Sequence, residues 1–253
     1  MMEKLYLCSR FIIRVLGNLL KNKKMRKNTS KVSVLFLLFS MLFTVCLIAA
    51  NLLGTKQIAL GSVSVTGGLL VFPVSYIIND CVCEVWGYRK ARLLIWTGFA
   101  MNFFFVAICA LCDAIPGAPY WNNDVGFHAI FGLAPRIVFA SFAAFLAGSF
   151  INAYVMSRMK LQSKGKHFSL RAILSTILGE GADSLVFFPL AFLGVIPTNE
   201  LPWMMLWQLV LKTAYEVVVL PVTIRVVAFV KHHEQEDVYD EGISYDILKI
   251  FNI

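Results

Sequence analysis

The sequence predicts an all-α integral membrane protein, a bundle of six transmembrane helices with both termini in the cytoplasm. Three observations carry that prediction. Of 253 residues, 58% are hydrophobic and only 15% are charged, where a soluble domain carries roughly a quarter charged residues. The apolar residues come in blocks about as long as a bilayer-spanning helix, roughly 20 residues. The basic residues collect in alternate links between those blocks, as the positive-inside rule requires.

Residues 1–31 form a basic arm carrying Lys4, Arg10, Arg14, Lys21, Lys23, Lys24, Arg26, Lys27 and Lys31. Its apolar residues, among them Leu5, Phe11, Ile12, Leu16 and Leu19, suit a short amphipathic helix on the membrane surface. The long basic stretch, with no small-residue cleavage site before the first apolar block, distinguishes it from a cleaved signal peptide.

The transmembrane domain is expected over residues 32–230. Its first span runs from about Val32 to Leu53, and the stretch GSVSVTGG that follows at 61–68 reads as a loop or short hairpin. The second, from about Leu69 to Val85, is the least hydrophobic and contains Pro73, Asn79, Asp80 and Glu84. A link over 86–92 with Arg89, Lys90 and Arg92 leads to the third span, Leu93 to about Leu111. Residues 113–135 read as a loop with no Lys or Arg before Arg136, where the fourth span begins, ending near Met156. A basic link holding Arg158, Lys160, Lys164, Lys166 and Arg171 precedes the fifth span, Ala172 to Leu193. The sixth runs from Trp203 to Val230, and a charged cytoplasmic tail occupies 231–253.

Lys and Arg number 9, 3, 5 and 2 in the arm, the two basic links and the tail, against Lys56 alone in the three opposite loops. That asymmetry predicts cytoplasmic termini and an even number of spans. It also accounts for the net charge of +8 without a nucleic-acid partner, which would interleave bases with exposed aromatics. Cys81 and Cys83 form a CxC and Cys109 and Cys112 a CxxC, but no further ligand stands at metal spacing, so small packing residues are expected and no metal. No Walker A, GxGxxG, HExxH or GxSxG occurs, which argues against a cofactor and against an enzyme. The segment GEGAD at 179–183 is one residue longer than the GxGD of intramembrane aspartyl proteases and lacks a partner Tyr-Asp within a span.

Ionisable side chains inside a span are costly unless paired or facing a polar cavity, so each is a candidate site residue. Asp80 and Glu84 stand four apart on one face of the second span, Glu180 and Asp183 three apart on the fifth, Lys212 and Glu216 four apart on the sixth. At about 1.5 Å of rise per residue, acids from three helices fall in one central-to-inner slab, the arrangement of a binding cavity. Glu84, near Arg89 and Arg92, reads equally as an interfacial residue fixing a helix end. Lys212 and Glu216 have an alternative reading as an ion pair setting helix register. Arg136 reads as an interface anchor or a ligand. Pro73, Pro189 and Pro221 interrupt the same three spans, where a freed carbonyl or a kink can line a cavity.

The stretch INDCVCEVWGYRKAR at 78–92 resembles the D-x-x-x-E-x-aromatic-G signature of the queuosine precursor transporter family, within the vitamin-uptake transporters. PRIVFAS at 135–141, RAILSTILGEGADSLVF at 171–187, KTAYEVVVLP at 212–221 and the tail from Lys231 to Asp240 resemble its later blocks, so the likeness covers about residues 32–240. It implies six spans in the bacterial inner membrane. It also implies import of 7-cyano-7-deazaguanine or 7-aminomethyl-7-deazaguanine, the bases salvaged into the tRNA nucleoside queuosine. The family's motif residues map onto Asp80, Glu84, Arg136, Ser175, Thr176, Glu180, Asp183, Lys212 and Glu216. Trp86 stands where Tyr is commoner, and Glu180 where many members have Gln. A guanine-like edge offers an N–H beside an exocyclic amine, which one carboxylate accepts in bidentate fashion. The leading expectation is a transporter without its own ATPase. The alternative is the substrate-binding subunit of an energy-coupling-factor importer for a vitamin-like solute, which would need an ATPase module as partner.

Overall fold

The computed structural model describes residues 33–54, 56–60, 63–132, 135–194, 198–199 and 201–249. The arm expected over 1–31 lies outside the described residues.

Helix α1 (Val34–Gly54) has no charged residue. Its hydroxyls bond back onto their own helix, Ser40 Oγ donating to Phe36 O at 2.8 Å and Thr44 Oγ1 to Ser40 O at 2.9 Å, so neither is left unsatisfied against lipid. The expected loop or hairpin is an antiparallel pair, β1 (Gln57–Leu60) with β2 (Val63–Thr66), in register Gln57 to Thr66 and Leu60 to Val63. A 3-10 turn (Gly67–Leu70) then leads into α2.

Helix α2 (Phe72–Asp113) is 42 residues long. A straight helix of that length would measure about 63 Å, about twice the hydrocarbon thickness of a bilayer. It is broken at Gly87, which is non-helical with φ 81° and ψ 173°. The link expected over 86–92 is therefore a single residue: helix resumes at Tyr88, and Arg89, Lys90 and Arg92 are helical. Glycine is required there, because the positive φ strains any other residue and an added Cβ would lie 2.7 Å from Asp240 Oδ1. Pro73, expected to interrupt this span, sits in its first turn instead, where a missing N–H costs nothing.

Within the stretch 113–135, expected as a loop, α3 (Asp124–Phe131) forms one short helix, tied back by His128 Nδ1 at 2.7 Å from Asp113 Oδ2. Helices α4 (Pro135–Gln162), α5 (Phe168–Phe192) and α6 (Leu201–Glu234) complete the bundle. Pro189 and Pro221 lie inside α5 and α6. α4 packs along α5, and α2 packs against α1, α4 and α6. The α4–α5 approach depends on glycine: a Cβ on either Gly148 or Gly179 would come within 2.9 Å of the other's carbonyl oxygen.

Among the described residues, five helices are long and apolar enough to cross a membrane, α2 among them. Their outer faces leave Val45, Phe104, Leu185, Val218 and Phe229 exposed, an apolar coat that water would not tolerate over such an area and acyl chains solvate. The chain is a multi-pass membrane protein.

The tail does not trail away. Residues 237–247 lie as a strap across the Gly87 break. Val238 N–H donates to Val85 O at 3.0 Å, and Lys160 Nζ to Glu84 O at 2.5 Å, satisfying carbonyls at the end of the first helical run. Asp240 Oδ2 accepts from Tyr88 N–H at 2.9 Å at the start of the second run, a carboxylate where the helix dipole favours one. Farther along, Arg92 donates to Asp246 O at 2.8 Å, Trp96 Nε1 to Ile247 O at 2.7 Å, and the Tyr245 ring packs between Tyr88 and Tyr154.

Candidate functional site

Two polar clusters lie inside the bundle. The first gathers Asp80 of α2, Glu180 and Asp183 of α5, and Lys212 and Glu216 of α6, all between 1% and 6% exposed. Lys212 Nζ lies 2.5 Å from Glu180 Oε2, 3.4 Å from Asp183 Oδ2, and 4.2 Å from the centre of the Phe72 ring. Lys212 and Glu216 do share a buried face, but they are not each other's ion partners. The lysine reaches across to α5, where two carboxylates and an aromatic face receive its charge. Glu216 lies against Asp80 and Thr176 instead, and Asp80 lies against Asn152 of α4. Ser175 Oγ donates to Ala172 O at 2.8 Å and stands 3.5 Å from Asp80 Oδ1.

Tyr76 closes the cluster, its phenol facing Asp80, Glu180 and Asp183. Gly148 and Gly179 leave it room: a Cβ on Gly148 would strike the Tyr76 hydroxyl, and one on Gly179 would lie 3.1 Å from its Cε1. Six buried side-chain atoms here make no hydrogen bond of good geometry: Tyr76 OH, Asp80 Oδ2, Asn152 Nδ2, Thr176 Oγ1, Glu180 Oε1 and Glu216 Oε2. Unsatisfied buried polar atoms are rare and cost about 1–3 kcal/mol each. All six are concentrated between α2, α4, α5 and α6.

The second cluster surrounds Glu84, one turn beyond Asp80. Arg171 grips it with two hydrogen bonds, at 2.5 and 3.1 Å, and Lys231 Nζ lies 2.6 Å from Oε1. Arg171 is itself held by the carbonyls of Gly165 and Lys166. Lys231 and Lys160 also bond Asp237, at 2.8 and 2.5 Å. The partners of Glu84 are thus Arg171 and Lys231, from α5 and α6, not the nearby Arg89 and Arg92. Both of its oxygens are occupied.

Arg136 stands second in α4, and its side chain lies outside those described. Sequence reasoning passed over Asn152, a polar residue in the middle of an apolar span whose Oδ1 accepts from Asn79 Nδ2 at 2.8 Å. The rule that flagged the acids counts only ionisable side chains; extended to every polar side chain inside a span, it finds Asn152. Tyr76, an uncharged residue among many aromatics, gives no signal of that kind in the sequence. Among the described residues no group of His, Cys, Asp and Glu is arranged to hold a metal ion.

The fold and this centre define a multi-pass helical membrane protein with a buried, acid-rich polar core. Residues 66–226 match the family described as "Putative vitamin uptake transporter", and the chain belongs to that family of transporters. It is 25% identical over 179 residues to the "Probable queuosine precursor transporter" of Bacillus subtilis (strain 168), covering 70% of this chain and 77% of that one. It is 28% identical over 169 residues to the "Queuosine precursor transporter" of Escherichia coli (strain K12), covering 65% and 71%. No solved structure matches the chain.

Proposed function

We propose that this protein imports the queuosine precursors 7-cyano-7-deazaguanine and 7-aminomethyl-7-deazaguanine across a bacterial inner membrane, for salvage into tRNA. The observation that carries the proposal is the set of unpartnered polar atoms between α2, α4, α5 and α6, in a chain whose relatives carry that name. Glu180 Oε1 and Asp183 accept the N–H and exocyclic amine of the guanine-like edge. Tyr76 OH donates to the ring carbonyl. Phe72 and Tyr76, 5.6 Å apart, cover a ring face. Asp80 meets the rest of the ring or the aminomethyl cation.

The break at Gly87 supports six crossings, because the run 67–86, counted with the 3-10 turn that opens it, and the run 88–113 are each long enough for one. With six, the basic links and both termini fall on the cytoplasmic side. Queuosine content of tRNA tests the function, measured in a strain unable to synthesise the precursors and fed each base. Queuosine returning only when this protein is expressed is the expected result; equal content without it overturns the proposal. The family's description as vitamin uptake favours one second reading, a substrate-binding subunit of an energy-coupling-factor importer. Uptake in a host with no such ATPase module excludes that reading.

A further inference from the structure

From the geometry we propose that Asp80 and Glu216 form a proton site, and that movement of the base is coupled to a proton carried on this pair. The inference rests on the transport reading above and deepens it by naming the coupling ion.

It follows from an imbalance of charge. Four carboxyl groups, Asp80, Glu180, Asp183 and Glu216, share one buried centre with one ammonium, Lys212. Lys212 is committed to the two acids of α5. No other base among the described side chains reaches the centre. α1 has no charged residue, and its one ionisable group is the thiol of Cys46. α4 presents Gly148 and the amide of Asn152. Arg171 and Lys231 are spent on Glu84. Arg136 begins α4 about 18 Å along the axis from Gly148, at about 1.5 Å per residue.

Asp80 and Glu216 therefore face each other with no cation between them. Two carboxylates in one apolar site do not both ionise; one keeps a proton and the pair shares it. The neighbours suit that state. Thr176 Oγ1 is buried beside Glu216, and Ser175 Oγ stands 3.5 Å from Asp80 Oδ1. A hydroxyl can donate to whichever carboxyl is ionised and accept from the one that is not. In the cycle, a carboxylate takes a proton from the outer water as the base binds, and the carboxylic acid returns it to the inner water as the base leaves. No bond of the base is made or broken.

The test uses the full chain in proteoliposomes with a trapped pH-sensitive dye. The uncharged 7-cyano-7-deazaguanine is added outside, so that the substrate brings no ammonium of its own. The expected result is lumen acidification that a protonophore abolishes, that Glu216→Gln eliminates and that Glu216→Asp restores. Asp80→Asn serves if Glu216→Gln fails to fold. Net uptake of labelled base without a pH change, or dependent on external sodium, overturns the proton site and leaves the transport reading standing. No counterflow of either base removes the transport reading and the coupling with it. Infrared spectroscopy at neutral pH then decides the site alone: a protonated-carboxyl band lost in Glu216→Gln supports it, and no such band in the wild type overturns it.

Discussion

Glu84 and Glu216 are both buried glutamates, 1% and 3% exposed, yet their surroundings differ in kind. Glu84 receives Arg171 and Lys231 on its two oxygens and stands where the tail strap crosses the Gly87 break. Glu216 has an unpartnered oxygen and another acid as neighbour. The first environment is complete without any other molecule and holds four segments together. The second is complete only when something else supplies hydrogen bonds or charge. Burial of an acid in a membrane helix thus separates neither role. Accounting for each oxygen does.

If that division is right, substitutions in the two clusters fail in different ways. The largest effect belongs to the incomplete cluster. Asp183→Asn should abolish precursor uptake, measured as tRNA queuosine, while membrane abundance on an immunoblot stays at the wild-type level. Near-normal uptake would remove Asp183 from the ligand site. Glu84→Ala should do the reverse, acting first on stability, because it leaves Arg171 buried without its carboxylate. Breaking such a pair costs about 3–5 kcal/mol, which should appear as a lowered thermal midpoint in detergent and reduced abundance. An unchanged midpoint would contradict the reading of this cluster as a clasp.

A smaller loss is expected from Gly87→Ala, about 1–3 kcal/mol for forcing an alanine to φ 81° against Asp240. The same melting measurement checks it. Asp237 should show the smallest effect, since its side chain is 43% exposed. Partial burial pushes its carboxyl up, but hydrogen bonds from Lys160 and Lys231 outweigh this and hold it below its ordinary 3.8. The ionised form is therefore favoured by folding. Its contribution is present above the ordinary aspartate range and is lost as pH falls through the lowered value. The melting difference between wild type and Asp237→Asn should be seen at neutral pH and vanish in acid.

Much of the scaffold was legible because hydropathy sees it directly. The span expected from Val32 to Leu53 is the helix Val34–Gly54, and the fourth, fifth and sixth spans are helices displaced by only a few residues at either end. That the Gly87 break is a single residue was not legible, since Trp86-Gly87-Tyr88 followed by Arg89 and Lys90 reads as a loop; what holds it to one residue is Asp240 and Val238, about 150 positions away in sequence. The strap was hidden for the same reason: a polar tail gives no sign that its backbone carbonyls will receive Arg92 and Trp96. Helical spacing identified the acids, but it ranks partners within one helix. It therefore suggested Lys212 with Glu216, where the partners lie across on α5.

Direct binding of labelled 7-cyano-7-deazaguanine and 7-aminomethyl-7-deazaguanine to the purified protein probes the buried acid centre without cellular machinery. Saturable binding of at least one base by the wild type, lost in a folded Asp183→Asn variant, is the predicted result. A folded wild-type protein that binds neither base, or an Asp183→Asn variant that binds as well as the wild type, would contradict it.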